Sequence, residues 1–141
     1  MIVLDTDIVT LLAYGNEKIQ KRIEGVGEAE EIAITIITRM EILGGRFDSI
    51  VKAANAGELG VATHRFLAAE EMLSDFVLLH PDDASGRHFE ALLKPRKGKK
   101  KMRRGDLLIA SIALAHEALL VTRNIRDFQG INNLRVENWA D

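Results

Sequence analysis

The sequence predicts an α/β protein with a mainly parallel central sheet of four to five strands flanked by helices. Short apolar runs rich in β-branched residues alternate with longer helical patterns across the whole chain, the alternation that builds a parallel sheet. The first run, Ile2-Val3-Leu4, is unbroken, as expected of a strand buried on both faces. With 47% of its 141 residues hydrophobic, the chain can bury one substantial core and is short for two, so residues 1–141 are expected to form a single domain.

The first strand leaves Asp5 at its carboxyl end. Ile8, Leu11 and Leu12, then Ile19, Ile23 and Val26, repeat at helical spacing, with a break at Gly15-Asn16. Ile32 to Ile36 reads as the second strand and Phe76 to Leu79 as the third. Between them, 38–54 and 58–75 are rich in alanine, leucine and glutamate, predicting two helices that form an arm around 38–75. Asp82 or Asp83 is placed to cap a helix running to Leu93. Asp106 to Ala118 is apolar and alanine-rich, predicting a largely buried helix. Leu119 to Thr122 and Leu134 to Val136 complete the set as fourth and fifth strands.

Composition removes several chemistries. Without cysteine there are no disulfides, thiolate zinc sites, iron–sulfur clusters or cysteine nucleophiles. His64, His80, His88 and His116 form no i,i+4 pair and no His-Glu-x-x-His pattern, so they read as structural or surface residues. A net charge of -2 is ordinary, and any affinity for nucleic acid must come from a local patch. The N-terminus lacks the basic region of a signal peptide and no apolar run reaches membrane-spanning length, so a cytoplasmic location without membrane association is expected.

In an open parallel sheet, ligands bind beyond the carboxyl ends of the strands. Three acids are expected there: Asp5, Glu41 and Asp106. Singly, each is explained as a helix cap, Glu41 through the Thr38-Arg39-Met40-Glu41 capping box and Asp106 as the residue opening its helix. Capping would accept serine, threonine or asparagine equally well, so three acids on one edge suggest a cluster. At about 4 Å, each pair of carboxylates repels by up to about 4 kcal/mol at an effective dielectric near 20, which three together make comparable with the stability of a domain. A divalent cation removes that repulsion, and all-oxygen ligands favour Mg²⁺ or Mn²⁺. Such an ion activates water and steadies the charge on a phosphate under attack, so the expected reaction is phosphodiester hydrolysis.

Five stretches together resemble a known family: Ile-Val-Leu-Asp5-Thr6-Asp7, Glu41, Arg-Gly-Asp106-Leu-Leu-Ile-Ala, Val-Thr122-Arg123-Asn124-Ile-Arg-Asp127-Phe128 and Leu-Arg-Val-Glu-Asn-Trp139. In order and spacing they resemble the PIN-domain nucleases, and particularly the VapC-type toxins of toxin–antitoxin pairs. The resemblance implies a PIN-like three-layer fold and a Mg²⁺- or Mn²⁺-dependent endoribonuclease acting on structured RNA. It also implies a type II cognate antitoxin and a homodimer. By position, Asp5, Glu41 and Asp106 look like the family's metal ligands, with Thr6, Thr122 and Asn124 as supporting polar residues. Many relatives carry aspartate at the place of Asn124; here the nearest acid is Asp127, which is assigned a supporting catalytic role, and either Asp127 or Asn124 completes the site. Asp7 stands where asparagine is more usual, and either caps the first helix or adds charge to the site.

Eight of the eleven residues from Lys94 to Arg104 are basic and lead directly to Asp106. Cations beside a metal site neutralise phosphates, so Lys99, Lys100, Lys101, Arg103 and Arg104 are expected to guide RNA. Two alternatives stand beside this reading. One is a non-catalytic PIN-like module that binds RNA or protein. The other is an Asp-x-Asp phosphatase, which Asp5-Thr6-Asp7 fits but which would need an acid where Ala110 stands.

Overall fold

The computed structural model describes residues 1–94, 98 and 101–141. Among these, β1 (Ile2–Leu4), β2 (Ile32–Thr35), β3 (Val77–Leu79), β4 (Leu119–Val121) and β5 (Arg135–Glu137) form one sheet in the order β3-β2-β1-β4-β5. Every neighbouring pair is parallel, with Ile2 opposite Ile32 on one side and Leu119 on the other.

Side chains alternate across a strand, so a sheet covered on both faces needs two cores. Ile2, Leu4, Ile34 and Val121 face one of them, with Ile8, Val9, Ile19 and Trp139. Val3, Ala33, Leu79 and Leu120 face the other, with Ile109, Ile112, Ala113 and Phe128. The first is roofed by α1 (Thr6–Ala13), α2 (Glu17–Glu24), α3 (Ile36–Val51) and α4 (Ala56–Leu73). The second is roofed by α6 (Arg104–Ala115), against which α5 (Asp83–Leu93) packs. The short α7 (Ile125–Phe128) buries Phe128. Helices on both faces of a parallel sheet give the three layers that the sequence predicts. None of the helices, among the described residues, is long and apolar enough to cross a membrane.

Helices α3 and α4 span 36–73 and pack along each other. Asn55 caps α4 by accepting from the Glu58 amide at 2.9 Å, and Glu58 reaches back to the Ala54 amide at 2.7 Å. At α5 it is Asp82, paired with Ser85 in a reciprocal capping box, that starts the helix.

Two helix starts differ from the sequence reading, and both differences concern the site. The Thr38-to-Glu41 capping box does not form. Thr35, extended and buried at the end of β2, accepts from the Thr38 amide at 3.2 Å, so α3 begins at Ile36 and Thr38 is buried within its first turn. Likewise α6 begins at Arg104, and its N-cap Arg103 makes no side-chain cap bond, which leaves Asp106 as the third helical residue. A carboxylate there still interacts favourably with the helix N-terminus, but neither Glu41 nor Asp106 is a cap. Asp5 is one: its side chain accepts from the Thr6 amide at the start of α1.

The chain runs outward from β1 to β2 and β3, then returns to place β4 on the other side of β1. That reversal opens a crevice at the carboxyl ends of β1 and β4, where loops diverge instead of crossing. The two strand ends are tied by the Asp5 amide donating to the Val121 carbonyl at 2.9 Å.

Candidate active site

At the mouth of this crevice lies a pocket of about 450 Å³ lined by four acids, Asp5, Asp7, Glu41 and Asp106. Arg103 and Arg123 also line it, with Thr6, Thr10, Leu11 and Asn124. The acids arrive from four places: the end of β1, the first turn of α1, the second turn of α3 and the first turn of α6.

Asp5 is the deepest, only 6% exposed. Its Oδ1 accepts from the Thr6 amide at 2.8 Å and its Oδ2 from the Thr122 hydroxyl at 2.7 Å. Burial raises its pKa, and the bonds from Thr122 and Thr6 only partly oppose that. Thr122 is fully buried just past β4, and its oxygen accepts in turn from the Asn124 amide at 3.0 Å. One hydroxyl thereby fixes both Asp5 and the turn that carries Asn124.

Asp7 lies on the Arg123 side. Its Oδ2 accepts from the Arg123 amide at 3.1 Å and stands 3.5 Å from the Thr122 hydroxyl, while its Oδ1 is buried with no hydrogen-bond partner. Burial, and next the charge of Asp5, push its pKa up to about 6. The opposite wall carries Glu41, an exposed residue whose Oε1 accepts from the Thr6 hydroxyl at 3.1 Å. Thr6 also lies 2.9 Å from the Thr38 hydroxyl. A hydroxyl has one proton, so Thr6 donating to Glu41 receives its own bond from Thr38. Gly105 brings the start of α6 alongside, since a Cβ there would meet Glu41 Oε1 at 3.8 Å. Asp106 is half-buried; burial raises its pKa, Asp5 adds to the rise, Arg103 opposes it, and Asp127 and Glu41 add smaller contributions.

The predicted site residues do not all meet. Asp5, Glu41, Asp106, Thr6 and Asn124 line the pocket and Thr122 buttresses it from below. Asp127 is exposed on α7 and does not line the pocket, although its charge bears on both Asp5 and Asp106. Arg103 lines the pocket, whereas the Arg104 guanidinium sits 5.8 Å from the Phe89 ring centroid, over α5. Lys101 is exposed, and Lys99 and Lys100 lie outside the described residues. Arg123 and Thr38 escape the sequence reading as site residues. The signal for Arg123 is its place between Thr122 and Asn124, on the loop just beyond a strand's carboxyl end.

Among the described residues no three His, Cys, Asp or Glu side chains are already drawn together as around a bound ion. The acids stand instead on the pocket walls. Their chemistry nonetheless fits a hard divalent cation: the donors are all oxygen, three of the four have raised pKa values, and Asp7 keeps a buried oxygen without a partner. Asp5, Glu41 and Asp106 are the residues that could hold it.

Comparison with known proteins identifies the family and the fold. The PIN domain family model matches residues 2–133. Ribonuclease VapC2 of Rickettsia felis is 33% identical over 139 residues, spanning 96% of each chain. Among solved structures, VapBC-1 from nontypeable Haemophilus influenzae superposes with a TM-score of 0.80 at 26% identity, covering 100% of both chains. VapBC2 from Rickettsia felis, bound to a DNA fragment from its promoter, gives a TM-score of 0.79 at 28% identity over 99% of each chain. With nearly its whole length matched in sequence and in fold, this chain belongs to the PIN domain family.

Proposed function

We propose that this chain is a metal-dependent endoribonuclease of the VapC kind, the toxin of a type II toxin–antitoxin pair, hydrolysing RNA phosphodiester bonds with Mg²⁺ or Mn²⁺. The observation that carries the reading is the convergence of Asp5, Asp7, Glu41 and Asp106 on one pocket at the β1/β4 crevice. Neither Glu41 nor Asp106 has a capping role to explain its charge.

In this reading Asp5, Glu41 and Asp106 hold the cation, which when bound activates water and steadies charge on the scissile phosphate. Thr122 and the Thr6 amide fix the Asp5 carboxylate, and the Thr6–Thr38 hydroxyl pair fixes Glu41. Asn124 supplies a neutral polar group at the rim. Asp127 acts through its charge, from outside the pocket. Arg103 is the pocket's cation nearest the basic run, and with Lys99, Lys100, Lys101 and Arg104 it guides the RNA backbone. The fit to VapBC structures supports a cognate antitoxin as partner. A homodimer acting in the cytoplasm completes the proposal.

The test is RNA cleavage by the purified protein with Mg²⁺, with Mn²⁺ and with a chelator. Cleavage should require an added ion and return when the chelator is titrated out. Cleavage indifferent to chelation would refute the metal mechanism, and none under any condition would leave a non-catalytic module. Replacing Lys101 and Arg103 together by alanine should weaken RNA binding. The slope of log K against log salt should fall by about 0.7 for each phosphate of single-stranded RNA that is no longer neutralised. An unchanged slope would remove these two residues from the RNA path.

A further inference from the structure

We infer that Asp7 is the fourth carboxylate of the cation site, giving its charge and its unpartnered Oδ1 to the ion. The inference rests on the metal-dependent reading above and deepens it by filling a position for which the sequence offers Asp127 or Asn124. Asp127 is exposed and does not line the pocket, and Asn124, which does, carries no charge. Asp7 lines the pocket and comes from the first turn of α1, two residues after Asp5.

The two oxygens of Asp7 are used unequally. Oδ2 accepts from the Arg123 amide and lies near the Thr122 hydroxyl, the group that holds Asp5. Tying down the loop after β4 needs only that one acceptor, which the amide oxygen of asparagine would also provide. The second oxygen makes no hydrogen bond of normal geometry and has no appreciable contact with water, with the Ile8 amide bearing only weakly on the carboxylate, although buried polar atoms in proteins are nearly always satisfied. The charge is equally unnecessary for tying the loop, and it repels that of Asp5, since both carboxylates reach the one Thr122 hydroxyl, at 2.7 and 3.5 Å. Both features disfavour the ion-free fold, and a cation between Asp7 and the acids of the other walls reverses both.

Mn²⁺ binding, measured by calorimetry without RNA, separates the possibilities when combined with thermal melts of the ion-free proteins. Asp7→Asn should weaken Mn²⁺ binding by about tenfold or more while melting no lower than wild type without the ion. Asp127→Asn, which removes a charge that bears on Asp5 and Asp106 only from outside the pocket, should cost clearly less Mn²⁺ affinity than Asp7→Asn. Adding Asn124→Asp to Asp7→Asn restores an acid beside Arg123 and should recover most of the missing affinity.

Wild-type Mn²⁺ affinity in Asp7→Asn would overturn the inference. So would an equal loss in Asp127→Asn, or a lower ion-free melting temperature in Asp7→Asn, which would mark a structural role. Asp5→Asn separates this failure from that of the broader reading. If Asp5→Asn abolishes binding and Asp7→Asn does not, only the assignment of Asp7 fails; if neither has an effect, the metal site itself is refuted.

Discussion

Asp5→Asn should melt several degrees higher than wild type at pH 7.5 in the absence of divalent ions, and cleave RNA at least about a hundredfold more slowly in their presence. The two effects have one origin. The Asp5 carboxylate is buried and its pKa is raised above 3.8, so between that value and its folded pKa the native state holds more protons than the unfolded chain. Stability therefore falls as pH rises through this window, and the loss persists above it. Asparagine keeps an acceptor for the Thr6 amide and a polar partner for Thr122, but has no charge to desolvate. The stability gain should accordingly shrink as pH falls through this window and vanish below 3.8, where the wild-type group is protonated in both states. Outer-shell changes at metal sites already cost 10- to 100-fold, so loss of a carboxylate facing the ion should reach at least the upper end. A variant that is less stable at pH 7.5 and still cleaves RNA would reduce Asp5 to a helix cap.

The second large effect is a coupling between ion and pH. Asp7 titrates near 6, and Asp5 and Asp106 are also shifted upward, so protons compete with the cation on the acid side of neutrality. At pH 7.5, Mn²⁺ at about a hundred times its Kd should stabilise the fold by about 2.7 kcal/mol, on the order of 10 °C in melting temperature for a domain of this size. At pH 5 the same concentration should give a far smaller shift. In the ion-free protein the sign is opposite: stability should fall as pH rises from 3.8 through about 6, because the folded state releases the Asp7 proton later than the unfolded chain. Melts at both pH values, with Mn²⁺ and with chelator, check both signs. An ion shift independent of pH would argue that these carboxylates are not its binding groups.

The fold was legible where burial leaves a direct imprint. Ile2-Val3-Leu4 reads as a two-sided strand because both of its faces are covered, and β4 and α6 announce themselves in the same way. Cap chemistry was legible in kind and ambiguous in place. Thr35 and Thr38 can each start a helix, and what decides between them is that Thr35 ends β2 while Thr38 is buried beside Thr6. A three-residue slip in the cap turned Glu41 from an apparent capping partner into an acid without one.

For the candidate site, order along the chain brings forward Asp5, Glu41 and Asp106, which line one pocket, because each reads as following a strand or opening a helix at one edge of the sheet. It did not separate Asp7 from Asp127. Both lie within a few residues of an assigned position, and only the fold shows that α1 starts into the pocket while α7 leaves Asp127 at the surface. The basic run has the same limit. Arg103 and Arg104 are neighbours, yet successive residues at a helix start diverge by about 100°, so one lines the pocket and the other stacks on Phe89.

The most direct measurement is RNA cleavage by wild type, Asp5→Asn and Asp106→Asn side by side, each with Mn²⁺ and with chelator, on samples shown to be folded by their melting curves. The expected result is ion-dependent cleavage by wild type alone, with both variants folded and at least about a hundredfold slower. Cleavage that survives both substitutions, or that proceeds in chelator, would contradict a carboxylate-held metal site.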